Sequence, residues 1–205
     1  MALELTQEDF MSMAQVRQLK TVARRGATEA RKRGKTGPVR DWMIMHIALD
    51  AGLRVSEITA LRTGDLLLEP GHGAIIVRNG KGGRERGVDI GRALQDHLQE
   101  YMKWKVTIGE RTDPDAYLFP SPQGGQLTRQ AVYLMFKRLA CQAGLPERFS
   151  IHSCRHTYAS MLYRSSRFNL RLVQKQLGHA SIRTTQVYAD VLSQDAWEAV
   201  NSLPQ

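Results

Sequence analysis

The chain has 205 residues, a length suited to one sizeable core, and its 42% apolar and 24% charged residues are ordinary for a soluble globular protein, with no apolar stretch long enough to cross a bilayer. Lysine and arginine outnumber aspartate and glutamate by 29 to 20, and the formal charge of +9 favours polyanions such as nucleic acid or an anionic membrane surface. Met1-Ala2-Leu3-Glu4-Leu5 lacks the basic start and apolar run of a secretory signal, and Cys141 and Cys154 offer no disulfide framework, so a cytoplasmic, reducing compartment is expected.

Thr6 with Asp9 three residues on has the form of a variant capping box, and Phe10, Met13, Val16, Leu19 and Val22 recur along one side of a helix. That helix is expected to run into a basic loop with Arg24, Arg25, Arg31, Lys32, Arg33, Lys35 and Arg40, punctuated by Gly34 and Gly37-Pro38. Trp42, Met45, Ile47, Ala48 and Ala51 then build a buried helix ending at Gly52, and a short helix follows over Val55 to Leu61. Gly73 to Arg78 is rich in β-branched residues, Asn79-Gly80-Lys81-Gly82-Gly83 supplies turn chemistry, and Arg86 to Ile90 returns as a partner strand, which puts Lys81 at a hairpin tip. Helical spacing resumes over Arg92 to Val106, and again from an N-cap at Thr128 to Gly144. Further helical pieces cover Ile151 to Tyr163, Leu170 to Leu177 and about Gln194 to Asn201. The expected fold class is mainly α with a small antiparallel sheet, without internal repeats.

Residues able to handle a phosphodiester are spread along this pattern. His152 and Arg155 stand at i and i+3, on one helical face, and form a compact anion site. Arg54 in Gly52-Leu53-Arg54-Val55-Ser56-Glu57 has Glu57 three residues on to hold its guanidinium, although taken alone the pair reads more readily as an ordinary structural ion pair. The polar run Leu177-Gly178-His179 to Val187-Tyr188 adds a second imidazole and a phenol.

In order and spacing, Arg54 in Gly-Leu-Arg-Val-Ser-Glu, Lys81 on its Gly-Lys-Gly turn, His152-x-x-Arg155, Leu-Gly-His179 and Tyr188 nine residues later closely resemble the signature of the tyrosine recombinases, the phage-integrase family. The likeness runs at least from Thr6 to Asp190 and includes Leu118-Phe119-Pro120 and the Thr128 to Gly144 helix. It departs at Ala51, where many relatives carry threonine, and at the front, where typical members have an extra N-terminal core-binding domain of about a hundred residues. The expected organisation is therefore a single catalytic domain over 1–205 without that domain, ending in a subunit-exchange tail over 192–205 in which Trp197, Val200 and Leu203 have helical spacing.

The resemblance implies a site-specific recombinase or integrase that cuts and rejoins DNA through a covalent 3′-phosphotyrosine. Its implied catalytic residues are Arg54, Lys81, His152, Arg155, His179 and the nucleophile Tyr188, with Glu57 behind Arg54. Guanidiniums answer the charge on the non-bridging oxygens, Lys81 protonates the leaving 5′ oxygen, His152 serves as proton acceptor or donor, and His179 hydrogen-bonds the phosphate. No cofactor or metal is implied. Arg24, Arg25, Arg31, Lys32, Arg33, Arg84 and Arg86 are expected to contact DNA, and the implied partners are double-stranded DNA, a homotetramer on paired sites and accessory proteins, with no membrane. A catalytically limited DNA-binding relative and a type IB topoisomerase-like activity are the alternatives. Zinc hydrolysis by His152, His156 and His179 is disfavoured, because Ser153 stands where the zinc-protease motif has glutamate and Arg155 would sit beside the ion.

Overall fold

In the computed structural model, which describes residues 6–78 and 85–192, α1 (Met13–Lys32) starts where Ser12 and Gln15 satisfy each other. The Ser12 hydroxyl accepts from the Gln15 N–H, and the Gln15 side chain accepts from the Ser12 N–H. Thr6 and Asp9 cap a separate 3-10 turn, Gln7–Asp9, so Phe10 precedes the long helix instead of lying on it. Nor does the helix give way to a basic loop at Arg24. Val16, Leu19, Ala23, Ala27 and Ala30 carry one buried stripe into its last turn, and alanine is the strongest helix former. Arg24, Arg25, Arg31 and Lys32 therefore ride on an exposed helix face, and Arg33 follows at the C-cap.

The next helix, α2 (Gly37–Asp50), opens with Pro38 in its first turn, where a missing N–H breaks no helical bond. Met43, Ile44, Met45, Ile47, Ala48 and Leu49 are all buried, each of the larger ones contributing about 1.5–3 kcal/mol. An apolar rod of this kind belongs in the centre of a helical domain, and α2 touches α1, α3 (Val55–Ala60), α4 (Arg92–Thr107) and α6 (Ile151–Ser165).

After α3, strands β1 (Leu66–Glu69), β2 (His72–Val77) and β3 (Arg86–Ile90) form an antiparallel sheet in the order β1-β2-β3. Ile75 stands opposite Leu66 on one side and Val88 on the other, and Ile75, Val77 and Val88 point into the core. Val77 pairs with Arg86, so the β2–β3 connection carries Lys81 and Arg84, both outside the described residues. Lys105 of α4 is fully buried, its ammonium bonded to Glu110 Oε2 at 2.5 Å and to the Leu118 carbonyl at 3.3 Å. Leu118 in turn donates its N–H to the Leu61 carbonyl, which seats Leu118-Phe119-Pro120 against the end of α3.

The chain closes with α5 (Arg129–Gln142), capped by Thr128, then α6, α7 (Leu170–Leu177) and α8 (Arg183–Leu192). The sequence pattern does not mark α8, and the expected helix over residues 194–201 lies outside the described residues. Among the described residues two apolar clusters result: a large one around α2, and a smaller one of Tyr158, Ala159, Val173, Leu177 and Tyr188 between α6, α7 and α8. Among the described residues no helix is long and apolar enough to cross a membrane.

Gly52 joins the two clusters. Its φ of +61° is in the left-handed region, and a Cβ added there would lie 2.2 Å from Tyr158 Cδ1. Backbone strain and the clash together predict that Gly52→Ala lowers the unfolding free energy by roughly 2–4 kcal/mol. Urea unfolding followed by circular dichroism checks this, and an unchanged midpoint refutes it.

Candidate active site

The core of the site is one carboxylate among three guanidiniums. Arg54, the residue before α3, donates its N–H to Glu57 Oε2 and its Nη1 to Oε1, both at 2.8 Å. Arg86, the first residue of β3, donates from both terminal nitrogens to the same carboxylate at 3.0 Å each. Arg155, from α6, brings Nη1 to 4.0 Å from Glu57 Oε2. Burial pushes the Glu57 carboxyl up, but the hydrogen bonds from Arg86 and Arg54 and the charge of Arg86 outweigh it and hold the pKa below its ordinary 4.5. Three cations against one anion leave a positive excess in a half-enclosed place, which suits a phosphate.

Arg155 is fixed by main chain as well. Its Nη1 donates to the Gly52 carbonyl at 2.6 Å and its Nη2 to the Leu177 carbonyl at 2.7 Å, two of the five N–H groups a guanidinium carries. The first carbonyl follows α2 and the second ends α7, so the side chain ties the large cluster to the small one. Burial first, and then the charge of Arg54, lower its pKa to about 10, leaving it cationic at neutral pH. Gly178 permits the other side of this arrangement: a Cβ there would lie 2.5 Å from Arg86 Nε.

The nucleophile candidate lies beside this cluster. Tyr188 projects from α8, is 2% exposed, and has its hydroxyl 3.0 Å from His156 Nδ1. The His179 ring stacks on the phenol at 6.4 Å between centroids and 11° between planes, and Phe10 meets it edge-on at 6.2 Å. Burial raises the Tyr188 pKa, opposed by the charges of Arg155 and Arg54. His179 Nδ1 lies 3.0 Å from the Thr185 hydroxyl. Burial, and then Arg155, Arg54 and Arg86, push the His179 imidazole down to about 3, so it is neutral, and the tautomer in which Thr185 donates to Nδ1 leaves the proton on Nε2, where it can be donated to an anion. His152, at the exposed start of α6, has its pKa lowered by partial desolvation and by the charges of Arg155 and Arg54.

The fold thus gathers Arg54, Glu57, His152, Arg155, His179 and Tyr188, while Lys81 and Arg84 lie outside the described residues. Arg86, expected as a DNA contact, spends both terminal nitrogens on Glu57 and belongs to the charge cluster. Arg24, Arg25, Arg31, Lys32 and Arg33 are exposed and share no hydrogen bond or ion pair with it. Sequence reasoning passed over three contributors: Arg86 as partner of Glu57, Thr185 as partner of His179, and His156 as partner of Tyr188. The i,i+4 spacing of His152 and His156 was a visible signal, but it invites a metal reading. Among the described residues no group of three or more His, Cys, Asp or Glu side chains is arranged for a metal ion.

Comparison with known proteins finds relatives in sequence and in fold. The profile described as the phage integrase family matches residues 9–195. The tyrosine recombinase XerD of Ralstonia nicotianae is 41% identical over 155 residues, covering 75% of this chain and 49% of that protein. The tyrosine recombinase XerA of Pyrococcus furiosus is 34% identical over 166 residues, covering 79% of this chain and 54% of that one. Among solved structures, that of XerA recombinase superposes with a TM-score of 0.76 at 26% identity over 96% of this chain and 65% of that chain. XerH bound to palindromic difH substrate, in a post-cleavage complex, gives 0.75 at 26% identity over 94% and 52%. The chain spans about half the length of these sequence relatives.

The folded Glu57 pKa lies below the unfolded one, so the stability this carboxylate contributes is complete above pH 4.5 and is lost as pH falls through the folded value. Glu57→Gln, which leaves the half-buried Arg54 and Arg86 and the buried Arg155 without an anion, is expected to cost about 3–5 kcal/mol at pH 7 and less at a pH below the folded Glu57 value. Urea midpoints at the two pH values decide it: an equal loss at both would separate Glu57 from this titration.

Proposed function

Because the chain belongs to the phage integrase family, we propose that it breaks and rejoins DNA strands as a tyrosine-type site-specific recombinase, with Tyr188 as nucleophile. What supports the reading above all is the place of the Tyr188 hydroxyl, buried within reach of the Arg155 and Arg54 charges. Attack on phosphorus gathers negative charge on the two non-bridging oxygens, and fixed guanidiniums stabilise it without having to reorganise. Arg54 and Arg155 take that role. The neutral His179, its Nδ1 turned to Thr185, donates from Nε2 to a phosphate oxygen, and His152 at the open edge exchanges protons with the reacting groups.

The phenol oxygen forms a bond to phosphorus as the bond to the 5′ oxygen breaks. The phenol passes its proton to His152, and the leaving oxygen gains one from Lys81, whose connection runs between Val77 and Arg86. The product is a 3′-phosphotyrosine with a free 5′ hydroxyl, which keeps the phosphodiester energy for rejoining. Double-stranded DNA is the proposed partner, in keeping with the XerH relative solved on its DNA substrate, and a homotetramer on paired sites is the proposed assembly. Arg24, Arg25, Arg31, Lys32 and Arg33 are proposed to contact DNA phosphates.

Nicked duplexes of randomised sequence offer a direct measurement. The protein is expected to capture its site as a detergent-resistant, protease-sensitive adduct that Tyr188→Phe abolishes. Retention of the adduct in that variant assigns the nucleophile elsewhere, and binding without any adduct favours a binding-only relative.

Replacing Arg24, Arg25 and Arg31 by alanine is expected to flatten the slope of log affinity against log salt by about 0.9 for each lost phosphate contact. An unchanged slope would take the α1 face out of the DNA interface.

A further inference from the structure

His156 makes the one hydrogen bond to the Tyr188 hydroxyl found among the described residues, yet nothing in the proposed chemistry uses it. It lies one turn after His152 on α6, with ring centroids 6.3 Å apart, but the two imidazoles have different surroundings. His152 is exposed. His156 is half-buried, with its ring centroid 5.9 Å from the phenol and 6.4 Å from the edge-on Phe10 ring. Phe10 is held over both rings by the next residue, since Met11 donates its N–H to the Thr157 hydroxyl at 2.9 Å. Tyr188 is therefore gripped on three sides, by His179 on its face, Phe10 at its edge and His156 at its oxygen.

The polar contact has a definite sense. Burial, and then the charge of His152, lower the His156 pKa to about 4, with Asp9 raising it and Arg155 lowering it further, so the ring is neutral near pH 7. Tyr188 keeps its proton, its pKa lying above the ordinary 10. A phenol O–H facing a neutral imidazole nitrogen donates to it when the ring carries its own proton on Nε2. An imidazole that titrates near 4 does not take the proton from such a phenol; it orients it.

We propose that His156 is a positioning residue for strand cleavage, its Nδ1 accepting from the Tyr188 hydroxyl and holding the phenol of the same chain beside the Arg54–Arg155 pair until a DNA phosphate arrives. The inference rests on Tyr188 being the nucleophile and adds to it the group that sets the aim of its oxygen. An attacking atom misplaced by about 1 Å costs on the order of a hundredfold in rate, so the anchor bears on cleavage and not on DNA affinity.

Three variants separate aim from bulk. His156→Asn offers Oδ1 where Nδ1 was, His156→Phe fills the space without an acceptor, and His156→Ala removes both. On the nicked duplex captured by the native protein, His156→Phe and His156→Ala are expected to form the adduct about tenfold to a hundredfold more slowly, with DNA affinity unchanged. His156→Asn is expected to recover most of the rate. Nitrogen-15 spectra of the native protein should show Nδ1 of His156 unprotonated and shifted by Tyr188→Phe. Native-like adduct formation by His156→Phe, or His156→Asn as slow as His156→Phe, overturns the proposal, as does a protonated Nδ1. Absence of an adduct from the native protein instead overturns the nucleophile assignment beneath it, while the nitrogen spectra still report on the contact.

Discussion

The arrangement depends on a single buried carboxylate. Glu57 receives hydrogen bonds from Arg54 and Arg86 and lies beside Arg155, so residues from the α2–α3 turn, the sheet and α6 are brought to one place by one charge. Removing ions from water is costly, and the arrangement holds because the carboxylate is met by several donors while Arg155 also finds the Gly52 and Leu177 carbonyls. The cluster remains short of anions. In the proposed reaction, a phosphate arriving there completes a charge balance that the protein alone leaves open.

The tyrosine is stored differently. It sits in the smaller apolar cluster, protonated and shielded by Phe10, with aromatic surfaces against it and guanidiniums near enough to be felt through their charge. Burial favours the neutral phenol, whereas the arginines favour the phenolate that the proposed attack would form. Arg155 holds both halves together, one carbonyl from each.

Much of this was legible in the sequence because it is local. Helix periodicity, Gly52 and Gly144 as stops, Thr128 as a cap, and the i,i+3 spacings of Arg54 with Glu57 and His152 with Arg155 are short-range signals, and β2, β3 and α7 fall where the pattern puts them. The basic run from Arg24 was misread as a loop because charge is the loudest feature there, whereas three alanines at helical spacing carry the fold. Strand β1, only four residues long, has no alternation clear enough to announce it, and its register comes from pairing with β2. Helix α8 reads only as a polar run because the buried residues described on it, Thr185 and Tyr188, are themselves polar-tipped. The bonds of Arg86 to Glu57 and of His156 to Tyr188 span 29 and 32 residues, and no local rule in one sequence connects positions so far apart.

The shared carboxylate has a consequence for how such a protein can change. Arg54, Arg86 and Arg155 do not answer to independent partners, so the effect of altering one depends on what occupies the other two, and their free energies do not add. Gly178 belongs to the same set, because Arg86 Nε occupies the space its side chain would need. Substitutions at these positions are therefore expected to be coupled, so that one tends to be tolerated only with another, although Arg86, Arg155 and Gly178 are each more than twenty residues from the next in the chain.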